Sequence, residues 1–332
     1  MLLVFATAFA QLTGTVVAAE SREPLGLSVV SLRPKFGQRF TDAGGRFAFA
    51  PTPAGTYVLS VRQIGYAPLD TQLVTTGDST HLQIALRRLA IELPPVTIAG
   101  SQCTNPGPPD SRDTALRAVF DQLQENARRL ALLADSYPFR YTLELADRAV
   151  SQRGDTGPPA TRRLQFSSGD KRRHPYAVGR VVQRAWGPWG SPDSVLVIQS
   201  AELEDLANPD FIASHCFYLA GRDTIAGERL VRIDFEPAAH VRSADMAGAA
   251  YLDSASYALR YTTTWITKPG RSQLTNVKAV TFVTRFRNIA PGVPLQDSLR
   301  AVTTYHYGRG PTIQTQRTVD VRFQRQAPPP VP

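Results

Sequence analysis

The sequence predicts a mainly β protein with two domains: an antiparallel sandwich or barrel, then a helix packed on a curved antiparallel sheet. Two patterns predict this fold class. Short alternating apolar runs, separated by turn residues every eight to twelve positions, fill residues 12–98 and return from residue 139 onward. A helical apolar period occurs between them, at residues 114–134. A chain of 332 residues that is 42% hydrophobic can bury two cores of this kind.

The first ten residues predict a truncated signal segment. Residues 2–10 are apolar and Ala8-Phe9-Ala10 has the small-x-small pattern of a signal-peptidase site, although no basic residue precedes the run. The alternative is a first strand over residues 2–9. No later run reaches the roughly 18 apolar residues of a spanning helix. We therefore expect an exported protein, periplasmic or associated with the outer membrane, with no transmembrane helix in its mature chain.

The net charge of the chain does not select among classes of binding partner. Its net charge is +9, and only four of the 37 basic residues are lysines. A GC-rich genome can produce an arginine excess without any selected partner, so the charge alone does not predict an interaction.

Residues 11–99 are the predicted first domain, and their glycines and Asp42 predict turns. The stretch TDAGG lies between two strand-like runs, where Asp42 can accept bonds from backbone N–H groups and Gly44 and Gly45 can take positive φ. Gly55, in the stretch PAG, is interpreted in the same way. A catalytic role for Asp42 would need a second carboxylate, a histidine or metal ligands nearby, and this segment offers none.

A series of motifs runs through the same residues. They are GTV at 14–16, EPL at 23–25, TDAGGRFAF at 41–49, PAGTYVLSV at 53–61, IGY at 64–66 and LPPVTI at 93–98. With these motifs residues 11–99 resemble the carboxypeptidase regulatory-like domain. The resemblance implies a seven-stranded, transthyretin-like β-sandwich with a carbohydrate-binding-like topology. Such modules are appended to peptidases, outer-membrane receptors and exported bacterial proteins, and do no chemistry themselves.

Motifs of catalysis are missing from the sequence. No histidine is followed three residues later by glutamate, as a zinc carboxypeptidase requires, and there is no HExxH, GxSxG or phosphate-binding glycine loop. We therefore predict no catalytic residues, no metal site and no cofactor. The alternative is a hydrolase whose site is assembled from distant residues, namely His215, His240 or His306 with Asp234 or Asp245.

Residues 100–110 predict a Pro- and Gly-rich connection, and residues 111–326 the second domain. Asp110 or Ser111 is the candidate N-cap of an amphipathic helix over residues 114–134, which we expect to pack on its own domain rather than on a partner. Roughly ten strands follow, and the tail, residues 327–332, is predicted to be disordered. The runs FYLAGRDTIAGERLVRIDFEP and GAAYLDSASYALRY are similar to the sheet of periplasmic lipoprotein-carrier proteins. That resemblance implies a lipophilic groove on the concave face.

Two charged clusters of the second domain have a functional and a structural interpretation. Arginines and aromatic residues alternate between residues 162 and 189, but we favour a solvated loop over nucleic-acid binding and predict no nucleic-acid partner. The acids Glu202, Glu204 and Asp205 could bind a cation, but they precede Asn-Pro-Asp and are predicted to lie in an exposed turn.

Cys103 and Cys216 are the only cysteines. In an oxidising compartment two cysteines pair, so we predict a disulfide that pins the start of the helical segment to the sheet. The alternative is two separate thiols. A dyad of His215 with Cys216 is excluded, because neighbours on a strand point to opposite faces.

These observations favour an exported bacterial envelope protein with two noncatalytic β domains that binds a protein, glycan or lipid partner. Besides the hydrolase alternative, an accessory partner of an outer-membrane receptor is a third hypothesis.

Overall fold

The computed structural model describes residues 10–34, 36–76, 78–91, 103–151, 153–170, 176–186 and 194–328. The chain divides into two compact units, Met1–Ala90 with two short later segments, and Ile91–Ile289 with Val293–Gln326. The predicted signal residues 1–9, the end of the predicted first domain (92–99), the start of the predicted connection (100–102) and the end of the tail (329–332) lie outside the described residues.

The first unit is a sandwich of two sheets. Its strands are β1 (Ala10–Ala18), β2 (Val29–Arg33), β3 (Phe36–Phe40), β4 (Arg46–Thr52), β5 (Gly55–Arg62), β6 (Leu69–Thr75) and β7 (Thr80–Leu86). The sheets have the orders β4-β1-β7 and β3-β2-β5-β6. Only the β1–β7 pairing among these strands is parallel. The predicted seven-stranded sandwich is confirmed.

Alternation along the strands places the core of the first unit between its sheets. Phe47 and Phe49 both point inward, as predicted, with ring centroids 5.9 Å apart. From the opposite sheet, Leu32, Leu59 and Val61 are at most 1% exposed. The apolar residues of both sheets therefore form one buried cluster.

The second unit begins with one long helix, α1 (Thr114–Ser136), and also contains the short helix α2 (Pro209–Ala213). Its strands are β8 (Phe139–Ala149), β9 (Ala160–Ser167), β10 (Val182–Trp186), β11 (Ser194–Ile198), β12 (His215–Ile225), β13 (Glu228–Pro237), β14 (Asp245–Asp253), β15 (Leu259–Thr267), β16 (Val277–Ala290), β17 (Val293–Tyr305) and β18 (Thr312–Phe323). Nine of them form one antiparallel sheet, in the order β12-β13-β14-β15-β16-β17-β18-β8-β9, and β10 and β11 pair separately. The predicted helix and curved sheet are confirmed.

Helix α1 lies against one face of this sheet, here called the inner face. The Phe120 ring meets Phe217 of β12 at 4.8 Å between centroids. The helix begins at Thr114, as predicted, but its N-cap is Asp113 rather than Asp110 or Ser111, and Asp113 Oδ1 accepts the Leu116 N–H at 3.0 Å. Asp110, one of the two predicted caps, instead accepts bonds from Arg112.

The prediction of one buried face on α1 is too narrow. Polar residues of its other face are buried as well: Gln122, Gln124, Glu125, Asn126 and Arg129. Several of their polar groups have partners within the unit. Gln124 donates to the Leu206 carbonyl, and Arg129 contacts Glu125 at 3.4 Å. The helix is therefore enclosed on most sides.

Candidate functional site

The segment around Asp42 forms a turn between β3 and β4. Asp42 Oδ1 accepts the Arg46 N–H at 2.8 Å, and the Gly45 N–H donates to the Asp42 carbonyl at 3.0 Å. Gly44 lies within this turn, and Gly45 has φ of +72°. Gly55 is the first residue of β5, so the bend before that strand lies at Ala54.

Cys103 and Cys216 form the predicted disulfide, with an S–S distance of 2.07 Å. The bond joins the segment before α1 to β12. Both cysteines are buried beside Ala238 and Val241, and the Cys103 carbonyl accepts the Ala239 N–H at 2.8 Å. The pair is thus part of a packed apolar cluster at one edge of the large sheet.

Of the residues proposed for a hydrolase site, the structure brings together only His215 and Asp245. His215 Nε2 lies 3.9 Å from Asp245 Oδ1, and both side chains are 0% exposed. Asp234 is paired with Arg232 at 2.7 Å. His240 and His306 are exposed, and within the described ranges neither forms a hydrogen bond or ion pair with Asp234 or Asp245.

The surroundings of His215 engage both of its ring nitrogens. Nδ1 lies 2.8 Å from the Phe211 carbonyl oxygen and Nε2 lies 2.9 Å from that of Met246. Burial lowers the pKa of His215, although these two hydrogen bonds and the charge of Asp245 oppose the shift. A buried imidazole with both nitrogens occupied cannot reach a substrate as a general base.

Asp245 is likewise occupied. It accepts hydrogen bonds from the Tyr176 hydroxyl at 3.1 Å and from the N–H groups of Gly179 and Met246 at 2.8 Å. Burial, and then the charge of Asp245, raise the pKa of Tyr176. The Tyr176, His215 and Asp245 cluster is a satisfied polar network within the core.

The two charged clusters noted in the sequence do not form sites. Asp205 is 2% exposed, so the predicted exposed turn is wrong for it. Its carboxylate accepts the Glu202 N–H at 2.9 Å and caps a 3₁₀ helix, Leu203–Ala207. Within the described ranges no group of three His, Cys, Asp or Glu side chains could hold a metal ion.

In the basic segment, Arg163 pairs with Glu144, and Arg162 lies 3.8 Å from Asp147. These pairs offset the charge of two of its basic residues. Tyr176 is buried, and residues 171–175 and 187–193 lie outside the described part of the chain.

A different set of basic residues is gathered by the sheet. Five arginines lie on its outer face, opposite α1, at the end formed by β17, β18 and β8. They are Arg140, Arg148, Arg300, Arg317 and Arg322, and we call them the arginine face. All five are exposed, and in the part of the chain that the structure describes none forms a hydrogen bond or ion pair.

Strand alternation and register place these side chains together. In β8, Arg140 and Arg148 alternate with the buried residues Phe139 and Leu145. Across the strand pair, Arg317 is opposite Glu144 and Arg322 is opposite Arg140. The sequence analysis missed this surface, because the arginines lie up to 182 positions apart and only the register of three strands joins them.

A pocket of about 590 Å³ opens at one end of the arginine face. Its lining is mostly polar and comes from β8, β9 and the end of β18: Arg140, Tyr141, Thr142, Gln165, Asp320, Arg322, Phe323 and Gln324. A register shift between Val319 and Arg322 contains Asp320, whose φ is +54°. This bulge interrupts the ladder at the pocket.

Residues 11–87 match the family model of the carboxypeptidase regulatory-like domain. The resemblance of the first domain is thereby confirmed. No curated protein matches the chain significantly. Within the described residues, no helix is both long and apolar enough to span a membrane.

Several solved structures are similar to parts of the chain. A 5-hydroxyisourate hydrolase of Klebsiella pneumoniae is 23% identical over 24% of this chain and 85% of its own, with a TM-score of 0.21. An outer membrane lipoprotein-sorting protein domain of Vibrio parahaemolyticus is 14% identical over 62% and 94%, with a TM-score of 0.34. A LolA superfamily protein of Nitrosomonas europaea is 10% identical over 64% and 94%, with a TM-score of 0.33.

Proposed function

We propose that this chain is an exported, noncatalytic binding protein of the bacterial envelope whose arginine face contacts an anionic surface of phosphate-bearing lipid headgroups. The observation that carries the proposal is the set of five exposed arginines whose side chains have no hydrogen-bond or ion-pair partner among the described residues. Grouped like charges repel one another, so an anionic partner that neutralises them gains binding energy.

The extent of the arginine face suits contact with an extended surface rather than with one small ligand. Arg140 and Arg148 lie eight residues apart on one strand, which is about 27 Å at a strand rise of about 3.4 Å. Arg300 and Arg317 extend the patch over two neighbouring strands, each about 4.8 Å further on. Each arginine near an anionic membrane contributes about 1 kcal/mol of attraction.

Packing inside the second unit favours a binding surface on the outer face rather than a lipophilic groove on the inner face. Where α1 meets the sheet, Leu123 and Leu133 of the helix are 0% exposed, and Phe235 of β13 is 1% exposed. This part of the inner face is a packed core. The pocket described above opens instead on the outer, polar face.

Two further observations support the noncatalytic and exported parts of the proposal. The His215 and Asp245 pair is fully buried and hydrogen-bonded, so it supplies no accessible acid or base. The Cys103–Cys216 disulfide suits an oxidising compartment outside the cytoplasm.

Flotation with phosphatidylglycerol vesicles at low and high salt tests the proposal. The triple variant Arg148→Ser/Arg300→Ser/Arg317→Ser should bind about 100-fold more weakly than wild type at low salt, since three arginines contribute about 1 kcal/mol each. The matched control is Arg222→Ser/Arg229→Ser/Arg242→Ser, which removes three exposed charges from the other end of the strand order.

Equal losses in the two triple variants would show that net charge, not the arginine face, drives binding. Absence of vesicle binding by wild type, or arginine-face-dependent binding only to a glycan or an acidic protein, would reject lipid headgroups as the partner.

A further inference from the structure

We infer that the pocket beside Arg140 and Arg322 binds the phosphate group of a hydroxyl-bearing ligand, either a soluble sugar phosphate or a lipid headgroup. This inference deepens the proposed function and rests on it in part, because the pocket opens within the arginine face.

The first observation is a like-charge pair. Arg322 of β18 and Arg140 of β8 are direct cross-strand partners. Cβ atoms of such partners lie about 4.5–5.5 Å apart, and like charges in this position destabilise a sheet. In the described part of the chain neither guanidinium has an acidic partner within ion-pair distance. A bound dianion between them removes the repulsion.

The second observation is the donor set around this pair. Two guanidinium groups can each give two parallel N–H bonds to one phosphate. Thr142, which is 9% exposed, lies in the same lining with Gln165 and Gln324. Hydroxyl and amide groups both donate and accept, so they suit the hydroxyl groups of a sugar or glycerol.

The volume sets the size of the ligand. A pocket of about 590 Å³ is within the 300–1,000 Å³ range typical of small-molecule sites. It is too large for an inorganic phosphate ion alone to fill. The ligand therefore carries a body of sugar or headgroup size on its phosphate.

Asp320 is the one acidic residue of the lining. It is exposed, and its carboxylate makes no hydrogen bond or ion pair with any described residue. A carboxylate beside an anionic ligand opposes binding, so Asp320 lowers the affinity of the pocket. Neutralising Asp320 should therefore strengthen binding, whereas neutralising Arg322 should weaken it.

Calorimetric titration of the full chain tests the inference with three soluble probes: glucose 6-phosphate, glucose and inorganic phosphate. Glucose 6-phosphate should bind, glucose should not, and inorganic phosphate should bind more weakly than the sugar phosphate. Arg322→Gln should weaken glucose 6-phosphate binding at least 10-fold, and Asp320→Asn should strengthen it several-fold. Arg222→Gln, an exposed position on β12 at the other end of the strand order, is the control and should leave this affinity unchanged.

The folding of the variants supplies an independent readout. Without ligand, Arg322→Gln should melt at the same or a higher temperature than wild type, because it removes the repulsion from Arg140. A lower melting temperature together with lost binding would mean that Arg322 has a structural role, which contradicts the inference. Equal binding of glucose and glucose 6-phosphate would also overturn it.

Vesicles distinguish the two sources of the phosphate. Binding to phosphatidylglycerol vesicles that Arg322→Gln abolishes, without binding of glucose 6-phosphate, identifies the lipid headgroup. If Arg322→Gln changes the binding of neither ligand while the triple variant still loses vesicle binding, the pocket is rejected and the proposed function stands. Sugar phosphate binding without any vesicle binding rejects the proposed function and leaves the pocket.

Discussion

At the scale of single residues, Asp42 holds the turn between β3 and β4 with both its side chain and its backbone. Its side-chain oxygen is engaged by the Arg46 backbone N–H, and its own backbone N–H donates to the Arg46 carbonyl at 2.9 Å. Gly45 is needed for the close approach: a Cβ there would lie 2.3 Å from the Val16 carbonyl oxygen. The acid and the glycine therefore serve one turn.

We predict that Asp42→Ala destabilises the protein by about 1 kcal/mol, because one hydrogen bond of an exposed turn is lost. Phe47→Ala should cost about 3–5 kcal/mol, because Phe47 is 5% exposed and its removal leaves a cavity in the sandwich. Urea unfolding of the full chain checks the order of the two effects. A larger loss for Asp42→Ala would show that this residue does more than hold a turn.

At the same scale, residues distant in sequence were the hardest to predict. The turn around Asp42 is local, so residue type and spacing were enough to find it. His215 and Asp245 are 30 positions apart, and their proximity depends on the pairing of β12, β13 and β14. Sequence reasoning named both residues, but it could not show that the pair is buried without access to solvent.

At the scale of elements, α1 is anchored by a buried amide. Asn126 is 0% exposed; its Nδ2 donates to the Tyr257 carbonyl at 2.9 Å, and its Oδ1 accepts the Leu259 N–H at 2.9 Å. The two backbone groups belong to the end of the β14–β15 connection. The side chain thus ties the helix to two backbone groups where the β14–β15 connection enters β15.

We predict that Asn126→Ala destabilises the second unit by about 2–4 kcal/mol, since it leaves a buried N–H and a buried carbonyl unsatisfied at about 1–3 kcal/mol each, with partial relaxation. Arg128→Ala is the matched control on the same helix, because Arg128 is exposed, and it should change stability by less than about 0.5 kcal/mol. Chemical unfolding followed by far-ultraviolet circular dichroism measures both. Similar small effects would mean that water replaces the lost partners at Asn126.

The helix and the strands were predictable because their apolar periods are long and regular, whereas their surroundings were not. The buried polar face of α1, including Asn126, has the composition of a solvent-exposed face. Only the curvature of a nine-stranded sheet shows that this face is enclosed. The arginine face was missed for a related reason: the register between strands cannot be predicted from the spacing of residues along the sequence.

At the scale of the whole molecule, the first unit was recognisable from its motifs, and the second only from its pattern of elements. The family model covers residues 11–87, whereas the second unit is described by its own geometry. The proposed arginine face lies at exposed positions of the outer face, which carry no packing constraint and so leave no apolar pattern in the sequence. The fold could therefore be predicted from the sequence in more detail than the binding partner.

The disulfide is the feature that ties the stability of the molecule to its compartment. Cys103 and Cys216 are 113 residues apart, and closing a loop of about 100 residues restricts the unfolded chain by up to about 4.7 kcal/mol. Reduction should therefore lower the urea midpoint of wild type, and the double variant Cys103→Ser/Cys216→Ser should match reduced wild type with no further response to reductant.

The same bond makes export testable without a known partner. If the chain is exported, alkylation of intact cells followed by mass spectrometry should find both cysteines blocked from reaction until a reductant is added. Protein expressed without residues 1–10 should remain in the cytoplasm, with both thiols modified directly. Free thiols in the chain recovered from the envelope would contradict the paired state, and oxidised cysteines in the cytoplasmic form would remove the argument from the disulfide to export.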